Sequence, residues 1–164
     1  QNYRKAEYDA INRYIKDCHE EYPQIKILPQ TLPALAWYLG GQRYVNTFAD
    51  PREIYEFCSK NNLDICMDIS HLIMACNYYQ LNTEYWFKEL LPFSKHFHLA
   101  GASGIDDEGL ALEESDTAIT LVNQLLKFKS LSQVSFMTEA WQGHLNDGEG
   151  FEKDLIFINK LLTK

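Results

Sequence analysis

The chain has 164 residues, 46% hydrophobic and 23% charged, which suits one domain with a buried core. A formal net charge of −8 argues against a nucleic-acid partner, since phosphate would meet no excess of cations. No apolar run reaches the roughly 18 residues a membrane helix needs, and the start, QNYRKAEYDAINRY, lacks a signal-peptide layout, so no membrane association is expected.

Residues 3–21 are predicted helical, with Tyr8, Ile11, Tyr14, Ile15 and Cys18 on one face; Pro23 ends the helix. IKILP, residues 25–29, is the first strand candidate. The segment QTLPALAWYLGGQRYVNTF is too long and irregular for a plain turn and is expected to line a site. Asp50 as cap and Pro51 at the first helical position open a helix running to about Lys60. LDICMDI, residues 63–69, is the second strand, followed by a helical region over about 71–91 with a break near Asn82 and Thr83. KHFHLA, residues 95–100, is the third strand, and GASGIDDEGLALEESD is expected to be an acidic, solvated loop. Residues 117–128 form a helix with Ile119, Val122, Leu125 and Leu126 on its apolar face. VSFMTEA, residues 134–140, is the fourth strand; WQGHLNDGEG is a loop, and residues 151–162 are the closing helix.

A helix followed by four strand–helix units predicts an α/β fold with a parallel (βα)4 sheet, one domain over residues 1–164. Long loops after the strand carboxyl ends fit half of a TIM (β/α)8 barrel; a free-standing open sheet is the alternative. In half a barrel, the strands at 25–29 and 134–140 would keep unpaired edges. The chain is therefore expected to dimerise or to be part of a longer polypeptide. Its first residue, Gln1 rather than Met, points the same way, to a processed product or a piece of something longer. The cysteines, Cys18, Cys58, Cys66 and Cys76, show no C-x-x-C pair and no zinc spacing; reduced thiols in a cytoplasmic setting are expected.

Four residues stand at the ends of the four strands, about 30 to 40 residues apart: Gln30, Asp68, His98 and Glu139. Side chains at parallel strand ends converge at the top of a barrel. Alternation puts Cys66, Asp68 and Ser70 on one face and Ile65, Met67 and Ile69 on the other; the all-apolar side suits helix packing, so Asp68 faces inward. His96 pairs with His98 in the same way, and Met137 with Glu139. Burying an Asp, a His and a Glu without partners is costly, and a shared divalent cation removes most of that cost. The donor set suits Mn, Co, Fe or Zn better than Ca, with Mg also to be considered. Taken alone, Asp68 is more often a helix N-cap. His71, three residues on, is placed to support Asp68 or to ligate beside it.

CMDISH, HFHLAGASGIDDEG and EAWQGHLNDGEGF resemble the last three strand-end motifs of the xylose-isomerase-like barrel superfamily, and LPQTLPALAWYLGGQRYVNTFADP resembles the one before them. That superfamily includes sugar isomerases, ketose 3-epimerases and the type IV AP endonucleases. The resemblance covers about residues 25–162 and implies the carboxyl-terminal half of a barrel. WQGH followed by GEGF looks most like the barrel domain appended to some bacterial sialic-acid-synthase-like proteins. The resemblance implies one divalent metal held by Asp68, His98 and Glu139, with Gln30 where the family has a first Glu, and Glu139 as a catalytic base. A glutamine offers a carbonyl oxygen but takes no proton at neutral pH, which disfavours a two-base mechanism. The endonuclease branch fits poorly, because Asp106-Asp107-Glu108 replaces its Asp-x-His.

Around the expected site, Trp37 and Trp141 are candidates for stacking on a sugar ring and Arg43 for a phosphate or carboxylate. Glu108 and His144 are further substrate-binding candidates, and His71 is grouped with Glu139 as a catalytic candidate. Against each stands a plainer role, in packing, solvation or helix capping. The expected function is a metal-dependent sugar or sugar-phosphate isomerase or epimerase domain in sialic-acid-type sugar biosynthesis. The alternative is a non-catalytic binding or architectural barrel module that has lost one ligand carboxylate at Gln30.

Overall fold

The computed structural model describes residues 2–35, 45–128 and 135–163. Helix α1 (Asn2–Glu21) lies against α2 (Pro51–Asn61), joined by Arg4 and the Tyr8 hydroxyl, both on the Glu53 carboxylate. Asp50 caps α2, accepting from the Arg52 N–H at 3.0 Å, and Asn62 ends it in the left-handed region with φ 52°. Strand β1 (Ile65–Asp68) runs straight into α3 (Ile69–Tyr79). The expected break follows: Gln80 turns left-handed and Asn82 caps α4 (Thr83–Leu90). Then come β2 (Ser94–Leu99), β3 (Gly101–Ser103), β4 (Asp107–Leu110), a 3-10 turn at Leu112–Glu114, α5 (Asp116–Phe128), β5 (Ser135–Thr138) and α6 (Leu145–Leu162).

Strands β1, β2 and β5 form a three-stranded parallel sheet in that order. The strand expected at 25–29 is reduced to a single parallel bridge between Gln30 and Cys66. Cys66 donates to the Pro29 carbonyl and accepts from the Thr31 N–H, and there the ladder stops. Pro29 has no N–H to extend it, and Pro33 follows closely.

The outward sheet face is the core. Ile65, Met67 and Phe97 are fully buried, with Leu99, in one cluster with Leu72 and Ile73 of α3, Phe87 and Leu90 of α4, and Leu121 and Leu125 of α5. Among the described residues no helix is long and apolar enough to cross a membrane.

Two stretches expected as loops carry structure. Part of the acidic segment forms an antiparallel β3–β4 hairpin. Gly109, at φ +72°, lets β4 approach residue 141 so closely that a Cβ there would lie 3.0 Å from the Trp141 nitrogen; the Trp141 N–H donates to the Gly109 carbonyl at 2.6 Å. The segment after β5 makes one turn, breaks through left-handed Asn146, Asp147 and Gly148, and then continues as the long part of α6. Gly143 and Gly150 pack backbone to backbone: a Cβ on Gly150 would lie 2.6 Å from the Gly143 Cα. The spacing of WQGH and GEGF thus accommodates a close chain crossing. Asp154 of α6 closes this end, accepting from the Leu112 N–H at 3.0 Å.

Candidate metal and substrate site

The inward face of the sheet differs from the core face at every alternate residue. Asp68 is the Cα partner of His98, and His98 of Met137; Glu139 follows β5 directly, its N–H donating to the Leu99 carbonyl. Parallel pairing without a slip at this end therefore puts three strand termini level.

Asp68 has two oxygens with separate duties. Oδ1 caps α3, accepting from the His71 N–H at 3.0 Å and the Ser70 hydroxyl at 2.7 Å. Oδ2 faces the site: the Gln30 amide donates to it at 3.1 Å, His71 Nδ1 lies at 3.3 Å and His98 Nδ1 at 3.6 Å. The N-cap role and the site-facing role thus belong to one carboxylate. Its burial, to 1% exposure, favours the neutral acid, but the His98 hydrogen bond, the His71 charge and the α3 donors outweigh burial and hold its pKa below the ordinary value.

His98 is the hub. Its Nδ1 lies 2.6 Å from Glu139 Oε2 and 3.2 Å from the Gln30 amide nitrogen. One imidazole nitrogen cannot donate to Glu139 and accept from Gln30 at once, so the short Glu139 contact takes the proton and Gln30 spends its N–H on Asp68. Hydrogen bonds with Asp68, Cys66 and Glu139 push the His98 pKa up to about 12. His71 Nδ1 donates to the Thr31 carbonyl at 2.8 Å beside its contact with Asp68, so it braces that carboxylate. Thr31 was not singled out from the sequence. It is 2% exposed, and its hydroxyl accepts from the Asp68 N–H at 2.9 Å, fixing β1's end against the preceding segment. Only the dipeptide Gln30-Thr31 at the end of a proline-bounded run could have signalled it.

The structure brings Gln30, Asp68, His71, His98 and Glu139 together. Trp141 and His144 stand in the turn after β5; Trp141 is 60% exposed, and His144, also exposed, makes no side-chain cap on α6. Glu108 lies in β4 opposite Ala102, and the placement of its side chain is outside the described part of the structure. Trp37 and Arg43 are likewise outside the described residues.

The donor chemistry fits a divalent ion. One ligand atom from each of Asp68, His98 and Glu139 lies within 4.8 Å of the other two. Two carboxylates and an imidazole that converge in this way lose their mutual need for a shared proton when a cation replaces it. The Gln30 amide presents nitrogen to this cluster and would have to turn its carbonyl inward to join it.

No protein-family model matches the chain, and no curated protein does. Solved structures do. A probable 3-DHS dehydratase, AsbF, involved in petrobactin synthesis in Bacillus anthracis, has a TM-score of 0.63 at 15% identity, over 96% of this chain and 55% of its own. A D-tagatose 3-epimerase-like protein has a TM-score of 0.57 at 18% identity, over 96% of this chain and 56% of its own. At these identities the likeness shows the fold alone: an α/β chain built like part of a TIM barrel. The chain spans about half the length of the structures it matches.

Proposed function

We propose that this chain is the metal-binding, carboxyl-terminal half of a sugar or sugar-phosphate isomerase-like barrel. The observation that carries this reading is the convergence of Asp68, His98 and Glu139 donor atoms within 4.8 Å at the ends of adjacent strands. A divalent ion such as Mn²⁺, Co²⁺, Fe²⁺, Mg²⁺ or Zn²⁺, when bound, would supply Lewis acidity toward a sugar carbonyl. Asp68 would be held for that purpose by Ser70, His71 and Thr31. Glu139, with a side chain about half exposed at 49%, is the base that reaches a substrate C–H. Gln30 cannot serve as a second base. One base can carry a proton between two neighbouring carbons on one face, as aldose–ketose isomerisation requires. Epimerisation needs delivery from the opposite face, so the isomerase reading is preferred. Trp141, Trp37, Arg43, Glu108 and His144 are the side chains we assign to the sugar and its phosphate. The WQGH and GEGF resemblance directs the substrate class toward sialic-acid-type sugar biosynthesis. The unpaired cysteines direct the location toward the cytoplasm. Completion of the barrel by a second copy or a longer chain follows from the same reading.

A second reading is favoured by one observation: the Gln30 amide nitrogen occupies the fourth position and hydrogen-bonds Asp68. That geometry suits a binding or architectural module. The two are separated by incubating the chain with Mn²⁺ and a panel of aldoses, ketoses and their phosphates in D2O. Loss of a C–H signal next to the carbonyl, abolished in Glu139→Gln, supports the enzyme. Bound sugar with no exchange in any member supports the module.

A further inference from the structure

One tier below Asp68 and His98, the inward face carries two further donors, Cys66 and His96, that the reaction above does not use. Cys66 precedes Asp68 by two residues and His96 precedes His98 by two, so alternation points both inward. Cys66 and His96 are Cα partners in the β1–β2 ladder. One ligand atom from each of Cys66, His96 and His98 lies within 4.8 Å of the others. Cys66 is 5% exposed and His96 is partly buried, with the two imidazole rings edge to face at 5.3 Å.

The decisive detail is how the two imidazoles are held. His96 Nδ1 sits 2.7 Å from the Ser135 hydroxyl, and His98 Nδ1 sits 2.6 Å from Glu139 Oε2. Nδ1 is thus engaged in each ring, and His98 also hydrogen-bonds Cys66, the neighbouring donor. A metal-binding histidine typically has its other nitrogen fixed by a carboxylate, hydroxyl or carbonyl, which sets tautomer and orientation. Both rings meet that condition, and Cys66 stands opposite His96 on the adjacent strand.

We propose that Cys66 Sγ, His96 Nε2 and His98 Nε2 form a binding site for a thiophilic divalent ion of the Zn²⁺ class. Sulfur with two imidazoles selects Zn²⁺ or Co²⁺ over Mn²⁺ or Mg²⁺, which prefer oxygen. On binding, the Cys66 thiol and the His98 Nε2–H each give a proton to solvent, and three protein donors leave a fourth position for water or a ligand. His98 belongs to both donor sets. With Nε2 on the lower ion, its Nδ1 keeps a proton and donates it to Glu139, so it no longer ligates an ion between Asp68 and Glu139. The identity of the metal then decides which tier is loaded: a thiophilic ion excludes the hard ion above it.

The test is a Co²⁺ titration of the full chain under a non-thiol reductant, read by absorption. The expected result is a thiolate-to-cobalt charge-transfer band in the near ultraviolet with visible bands of tetrahedral strength. Cys66→Ser should abolish the charge-transfer band, and Asp68→Asn should leave it intact, which separates this site from the upper one. One equivalent of Zn²⁺ should weaken Mn²⁺ binding at least about tenfold, or 1.4 kcal/mol. Absence of the band in folded wild-type protein overturns the proposal, and so does a band that survives Cys66→Ser, since another cysteine would then be its source. Should Cys66→Ser not fold, His96→Gln replaces it: retention of tetrahedral bands in that variant overturns the site, and their loss supports it.

Discussion

The two faces of the β1–β2–β5 sheet share one backbone and differ in everything else. On the outward face, Ile65, Met67, Phe97 and Leu99 are buried to 2% exposure or less beneath α3, α4 and α5. On the inward face, one residue along, stand Cys66, Asp68, His96, His98, Ser135, Met137 and Glu139, and toward β5 the burial fails: Met137 is 46% exposed. The outward face is held together by apolar area, which needs only shape. The inward face is held by charge-assisted hydrogen bonds centred on His98, which need particular atoms. Apolar packing belongs to the first face and the convergent polar donors to the second.

The largest expected effect breaks the outward face alone. Phe97→Ala should cost about 3–5 kcal/mol in urea denaturation, while Met137→Ala, on the open face, should change stability by no more than about 0.5 kcal/mol. Comparable costs at both positions would show that the inward face is packed as well.

Asp68 is the exception on the polar face, because its buried carboxylate serves the fold as well as the site. In chelator-treated protein, Asp68→Ala should lose about 3 kcal/mol, combining a lost α3 cap with a broken buried pair. Asp68→Asn keeps an acceptor for the cap and should lose clearly less by the same denaturation measurement. Equal losses would mean that the cap contributes nothing.

The polar face should also give the metal-free protein a pH signature. His98 binds its proton more tightly folded than unfolded, so its contribution is fully present below its ordinary value of 6.5 and is lost progressively as pH rises toward about 12. Asp68 is depressed, so its contribution is present above its ordinary 3.8 and is lost as pH falls through its lower folded value. Melting temperature in chelator should therefore decline from pH 7 to pH 10, and His98→Gln should flatten that decline. An unchanged slope in the variant would assign it elsewhere.

A smaller effect is expected at Gln30. Gln30→Glu puts a third carboxylate beside Asp68 and Glu139 and should tighten Mn²⁺ about tenfold in calorimetric titration, since ligand charge strengthens hard-cation binding. Equal or weaker affinity would show that the residue at this position does not turn toward the ion.

Much of this arrangement is legible in the chain because β-strand alternation is strict. ICMD and KHFHL announce which residues face in and which face out, and Asp50-Pro51 and Asn82-Thr83 announce where helices begin. Less legible is anything set by backbone meeting backbone. The bridge that replaces the first strand depends on Pro29 lacking a donor at one position of the ladder. The β3–β4 hairpin is hidden by Gly and acids that resemble a loop, and it is fastened by Gly109 against Trp141. The second donor tier was equally hidden: Cys66 and His96 are unremarkable in sequence spacing and meet only through strand register. Thr31 acts on Asp68 from a segment with almost no regular structure.

The claim that the inward face is a metal site is tested most directly by titrating Mn²⁺ into the purified chain calorimetrically, beside Asp68→Asn, His98→Gln and Glu139→Gln. One Mn²⁺ per chain is predicted for the wild type, with binding lost or weakened at least about tenfold in each variant while circular dichroism shows all of them folded. Wild-type protein that takes up no Mn²⁺, or binding that all three variants retain unchanged, would contradict the account.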